Sequence, residues 1–132
     1  MITAYIDGGA RGNPGPAGYG AYIVDENGQP LAELSGALGT TTNNVAEYRG
    51  LLAALAWAVE HGRTHVHVRA DSQLLVEQMK GHYRVKHAGL IPLHAEAKAL
   101  VSRIGRVTFE HIPRAQNKDA DRLSNVGMDA NS

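Results

Sequence analysis

The apolar pattern of this chain changes period once, near residue 42, and few architectures accommodate that change. Before it, apolar residues recur in short runs broken by glycine. Ile2, Ala4 and Ile6 share one face of a run from Ile2 to Asp7, Gly18 to Val24 forms a second run, and Leu31 to Leu38 a third. Period-two alternation bounded by turn residues reads as strand. The first turn is glycine-rich, Gly8-Gly9-Ala10-Arg11-Gly12-Asn13-Pro14-Gly15-Pro16, and the second is Asn27-Gly28, a pair that tolerates the positive φ of a tight hairpin. Strands joined in this way form an antiparallel meander. After the change, Asn44 to Glu60 is apolar around most of a helix, through Val45, Leu51, Leu52, Leu55 and Val59, and Gly62 is placed to end it. His65 to Ala70 reads as a strand and Ser72 to Lys80 as a short helix. Pro92 opens another helix in its first turn, where a missing N–H costs nothing. Leu93, Ala97, Leu100, Val101 and Ile104 line one face of it. Val107 to Ile112 is the last strand and Asn117 to about Met128 the last helix. Strand–helix–strand steps require parallel pairing. The expected fold is therefore α/β, a five-stranded mixed sheet with three antiparallel strands then two parallel, flanked by helices.

A length of 132 residues suits one domain with a single core, here residues 1–132 with a frayed tail at 129–132. There is no run of the roughly 18 apolar residues that a spanning helix requires. No basic stretch leads into an apolar one at the N-terminus, so no signal peptide is visible. Without cysteine there is neither a disulfide nor a thiolate metal site, and the cytoplasm is the expected location. Net charge is zero but unevenly spread. Residues 60–118 hold ten basic side chains against five acidic and all seven histidines, whereas residues 1–59 hold two basic against five acidic. A locally basic segment can meet a polyanion while the total stays neutral, and a set of solvated helix faces has the same composition.

Four carboxylates fall at the edges of the expected elements. Asp7 ends the first strand, Glu47 lies in the first turn of the first helix, Asp71 ends the fourth strand, and Asp121 lies in the first turns of the last helix. Ligands of an α/β sheet collect at the carboxyl ends of its parallel strands. Acids gathered on that rim repel one another unless a hard divalent cation with oxygen ligands supplies the counter-charge, and two such ions about 4 Å apart suit phosphodiester hydrolysis. Each acid also has a structural reading: Asp7 as a turn former, Glu47 as the end of a capping box from Asn44, Asp71 as an N-cap, and Asp121 as a complement to a helix dipole. On spacing alone both readings stand.

The motifs decide more. The stretch from Asp7 to Ala21, Thr42-Asn43-Asn44-Val45-Ala46-Glu47, Asp71-Ser72-Gln73-Leu74-Leu75 and Asn117-Lys118-Asp119-Ala120-Asp121-Arg122-Leu123 resemble, in order, the four motifs of type 1 ribonucleases H. That resemblance covers nearly the whole chain. It implies the five-stranded fold already expected, and two Mg²⁺ ions, with Mn²⁺ as substitute, on Asp7, Glu47, Asp71 and Asp121. It further implies hydrolysis of the RNA strand of an RNA–DNA hybrid by in-line attack, leaving 5′-phosphate and 3′-hydroxyl ends. Substrate contacts fall on Asn13, Thr42, Asn43, Asn44 and Gln73. Amide side chains both donate and accept, so they can read a ribose 2′-OH, and the helix start at Thr42 and Asn43 can hold a phosphate of the DNA strand. Double-stranded RNA is a further candidate duplex, and a monomer is expected.

The chain departs from the family pattern in two places. The lysine- and tryptophan-rich helix of many members is reduced to Lys80-Gly81-His82-Tyr83-Arg84-Val85-Lys86-His87-Ala88-Gly89, without tryptophan. The family's loop histidine before the last helix is replaced by Arg114, assigned here a catalytic part. His111 is read as a strand residue packed on the face of Val107 and Phe109. Trp57 is read as core. No HExxH motif occurs among the histidines, and the glycines spell no P-loop. Two other readings remain: a DNA-acting enzyme of the same fold, expected to lack Asn13 and Thr42-Asn43-Asn44, and a non-catalytic binding domain, expected to have lost a carboxylate.

Overall fold

The centre of the sheet is the first strand, and everything that matters for the site is hung on it. The computed structural model describes residues 1–131. Strands β1 (Ile2–Ala10), β2 (Gly15–Val24), β3 (Pro30–Thr41), β4 (His65–Ala70) and β5 (Arg106–His111) form one five-stranded sheet in the order β3-β2-β1-β4-β5. β1 pairs antiparallel with β2, and β2 with β3, while β1–β4 and β4–β5 are parallel. Helices α1 (Asn43–Glu60), α2 (Gln73–Met79), α3 (Ile91–Ile104) and α4 (Lys118–Asp129) cover it, with a short 3-10 turn at Arg114–Gln116 before α4. The expected mixed α/β sheet is the observed one. Among the described residues no helix is long and apolar enough to cross a membrane.

The core lies between the sheet and α1. Ile2, Ala4 and Ile6 of β1, Val66 and Val68 of β4, and Leu51 and Leu55 of α1 are all essentially inaccessible. Truncating one such leucine to alanine costs about 2–5 kcal/mol, because the cavity collapses only in part. Trp57 is partly buried against this core, as expected, and its ring stacks on His61 with centroids 4.0 Å apart. α1 ends at Glu60, and Gly62 just beyond its cap, with a φ of 65°, lets the chain turn out of the helix.

The glycine-rich segment differs from expectation. Gly8, Gly9 and Ala10 belong to β1 rather than to the turn, and they pair with Tyr19, Gly18 and Ala17. The reason is close packing. A Cβ on Gly8 would collide with the backbone of Ala46 and Glu47, and one on Gly20 with Ala120 and Ser124. Consecutive residues of a strand point to opposite faces, and Asp7 pairs with Gly20. α1 is thus seated on one face of β1 and α4 on the other, with Asp7 between them.

The chain beyond α4 also differs. Asn131 donates its amide to the Ala17 carbonyl at 2.6 Å and accepts from the Gly39 N–H at 2.9 Å, so this residue of the tail expected to fray is tied to β2 and β3. Ser132 lies outside the described residues.

Candidate active site

Two of the carboxylates reach the site because another group has taken the structural duty they were offered. α1 is capped by Thr42, whose hydroxyl accepts from the Val45 N–H at 3.3 Å. Glu47 is then the fifth residue of the helix, two places past the reach of a capping box, and its carboxylate turns to Asp7. α2 is capped by Ser72, whose hydroxyl accepts from the Leu75 N–H at 3.2 Å, and this frees Asp71. Asp7 is no turn former, since β1 continues through it. One carboxylate oxygen from each of Asp7, Glu47 and Asp71 lies within 4.8 Å of the other two. Asp121, in the first turn of α4, lines the same cavity of about 500 Å³ without joining that trio.

The electrostatics follow from this crowding. Burial pushes the Asp7 carboxyl up from 3.8 to about 7, and the charges of Asp71 and Asp121 add to the shift. Glu47 is held well above the usual carboxylate range, first by burial, then by Asp7 and Asp71, with the Arg114 charge opposing. The Oε2 atom of Glu47 is buried and has no hydrogen-bond partner among the described residues. A buried oxygen without a donor, amid acids that cannot all ionise, fits a hard cation with oxygen ligands. Histidine and thiolate donors are absent from the trio, which favours magnesium-like ions over zinc.

Two residues that the sequence reading left without a role hold this arrangement. Asn117 is 1% exposed, and its amide donates to the Ile6 carbonyl at 2.8 Å and to Asp71 Oδ2 at 3.3 Å. The Ser124 hydroxyl lies 2.9 Å from the Asp121 carbonyl and 3.3 Å from Asp7 Oδ2, its single proton shared between the two acceptors. Asn117 was detectable as the first residue of its motif. Ser124, one helical turn after Asp121, carried no signal of its own.

The remaining expected residues divide between two places. Asn43, His111 and Arg114 line the carboxylate cavity. Asn13, Thr42 and Asn44 line a neighbouring groove of about 390 Å³ with Arg84, Lys86 and His87. Asn13 Oδ1 accepts from the Asn43 N–H at 3.0 Å and Asn43 Oδ1 from the Ala10 N–H at 2.8 Å, so the turn after β1 is laced to the start of α1. Gln73, the exposed first residue of α2, lines neither place. Arg114 is 83% exposed, with Nη2 3.8 Å from Asp121 Oδ1. His111 corrects an expectation: it is exposed on the cavity rim, its Nε2 3.2 Å from the Asp71 carbonyl, although Val107 and Phe109 of the same strand do pack on the core. Its partner Ala70 is the last residue of β4, so His111 forms the last pair of the ladder, at the rim of the sheet.

The chain matches the family described as reverse transcriptase-like over residues 5–127. Among curated proteins it is 54% identical to the bifunctional protein Rv2228c of Mycobacterium tuberculosis over 98% of its own length, which is 36% of that protein. It is 38% identical to a ribonuclease HI of Halobacterium salinarum over 97% of its length and 64% of the relative. The chain therefore spans only about a third to two thirds of these relatives. Among solved structures, LC11-RNase H1 in complex with an RNA/DNA hybrid superposes with a TM-score of 0.94 at 45% identity, covering 98% of each chain. With a family match running almost end to end, and relatives of this identity carrying the name ribonuclease HI, the chain belongs to the metal-dependent type 1 ribonuclease H family.

Proposed function

We propose that this domain hydrolyses the RNA strand of RNA–DNA hybrids endonucleolytically, leaving 5′-phosphate and 3′-hydroxyl ends. The observation that carries the reading is the carboxylate trio, with oxygens of Asp7, Glu47 and Asp71 within 4.8 Å around a buried, unpartnered Glu47 oxygen. Asp7, Glu47, Asp71 and Asp121 would hold two Mg²⁺ ions, or Mn²⁺ in their place, which when bound supply Lewis-acid charge at the scissile phosphate. Ser124 and Asn117 keep Asp7 and Asp71 in register. A guanidinium offers donors and no acceptor, so the part of Arg114 is to offset phosphate charge over the cavity rather than to move a proton.

The substrate side follows from which atoms are already engaged. The oxygens of Asn13 and Asn43 accept backbone N–H groups, which leaves their amide nitrogens as donors to sugar or phosphate. Thr42 and Asn44, at the start of α1, face a groove with three basic side chains, the place for a phosphate of the DNA strand. Gln73 would meet the duplex from the exposed start of α2. Preference for RNA would come from 2′-OH contacts and minor-groove shape rather than base sequence. The crystallisation of a 45%-identical relative with an RNA/DNA hybrid supports this choice of substrate.

The test is a gel assay of an end-labelled hybrid beside matched DNA and RNA duplexes, with and without Mg²⁺. Mg²⁺-dependent cutting of the hybrid's RNA strand is expected. Cutting of DNA, or no cutting of the hybrid, would refute the reading, and the RNA duplex arm decides whether double-stranded RNA is a second substrate.

A further inference from the structure

Gln78 is a polar side chain in the wrong place for one. It lies on the inward face of α2 with Leu75, Val76 and Met79, and is 5% exposed. Such a residue costs stability unless both ends of its amide are used. One end is: the hydroxyl of Tyr48, itself 1% exposed, donates to Gln78 Oε1 at 2.7 Å. In the reverse orientation the buried Tyr48 proton would have no acceptor among the described residues, so the amide oxygen is the atom that faces Tyr48. The amide nitrogen is left without a partner among the described residues, and Gln78 lines the groove that also holds Thr42 and Asn44.

The groove's chemistry has one sign. Arg84 and Lys86 bring permanent positive charge, and no acidic side chain lines it. His87 accepts from the Gly89 N–H through Nδ1 at 3.1 Å, which leaves Nε2 as the ring's donor. Opposite stands the start of α1, where Thr42 already caps Val45 and helix N–H groups face outward. A ligand that satisfies this set is an anion with several acceptor oxygens.

Building on the hybrid-cutting function above, we propose that Gln78 is a substrate-binding residue. Its amide, held by Tyr48 as a positioning residue, donates to one backbone phosphate of the uncut DNA strand, between the start of α1 and the Arg84–His87 segment. The pair would give the short basic segment a fixed, uncharged donor where a longer cationic helix would use charge alone.

The full chain carrying Gln78→Met or Tyr48→Phe tests this against a labelled hybrid, using DNA strands with a neutral methylphosphonate at single positions. Gln78→Met should raise KM roughly tenfold, the effect of one hydrogen bond to a charged group, with kcat within about twofold. Tyr48→Phe should shift KM in the same direction by less, and it carries the test if Gln78→Met does not fold. In the wild type one methylphosphonate position should raise KM, and in Gln78→Met that position should add nothing. Unchanged KM in both variants, or a methylphosphonate penalty equal in wild type and variant, overturns the role of Gln78 while hybrid cleavage stands. A wild type that does not cut the hybrid overturns the underlying function instead.

Discussion

Removing the Asp7 charge should stabilise the metal-free protein, and by an amount that depends on pH. In the folded state the Asp7 carboxyl is raised from 3.8 to about 7, and the residue is 7% exposed, so solvent screening is slight. Between those two values the unfolded chain has released the proton that the folded chain retains. Stability therefore falls as pH rises through this window, and the loss is complete above about pH 7. At about 1.4 kcal/mol per pH unit the interval corresponds to about 4 kcal/mol. For a domain of this size that is roughly 12–16 °C in Tm. Asp7→Asn has the shape of the protonated acid and no charge, so the two proteins should melt together near pH 4. They should separate progressively, to about 4 kcal/mol, by pH 8. The variant also relieves Glu47, because Asp7 is the larger of the two charges raising that group. The assay is thermal or urea unfolding of both proteins in EDTA across pH 4–8, repeated with Mg²⁺, which should restore most of the wild-type loss and little in the variant. Stability curves that run parallel across the range would refute the reasoning.

Gly8→Ala should cost about 3 kcal/mol in urea unfolding, since its Cβ would meet the backbone of α1 rather than a movable side chain, and a cost under about 0.5 kcal/mol would refute the close packing. Arg114→Ala should lower kcat roughly 10-fold to 100-fold in steady-state cleavage, whereas His111→Ala, exposed on the rim, should leave Tm within about 2 °C. An unchanged kcat in the first, or a cooperative loss of fold in the second, would count against these placements. Asn117→Ala should destabilise by about 2 kcal/mol by stripping the Ile6 carbonyl of its donor, and should raise the Mg²⁺ concentration for half-maximal cleavage by loosening Asp71.

The sheet, its mixed pairing and the rim that gathers the acids were legible because each rests on local pattern: period-two runs, the Asn27-Gly28 hairpin, and strand–helix–strand steps. What was not legible depends on contacts distant in sequence. Glycines that let two backbones approach read like glycines that make a turn, so Gly8 and Gly9 were assigned to a loop. Thr42 and Asn44 are both plausible caps, and only the geometry shows that Thr42 takes the duty and leaves Glu47 free. His111 obeys the alternation of its strand, but alternation says nothing about where the ladder ends. Asn131 and Gln78 gave no periodic signal, since one is tied to β2 and β3 across more than ninety residues and the other to a tyrosine thirty residues away.

The seating of α4 against Gly20 has a consequence for the order of synthesis. Positions 7, 47 and 71 are translated well before position 121, and the trio they form rests on β1, α1 and the end of β4. Ser124, which holds Asp7, and Asn117, which holds Asp71, arrive together with Asp121 at the start of the last helix. A ribosome-bound chain stopped short of residue 117 would thus present three mutually repelling acids with neither of their side-chain tethers. The four-acid rim and both tethers are complete only once the last helix has docked.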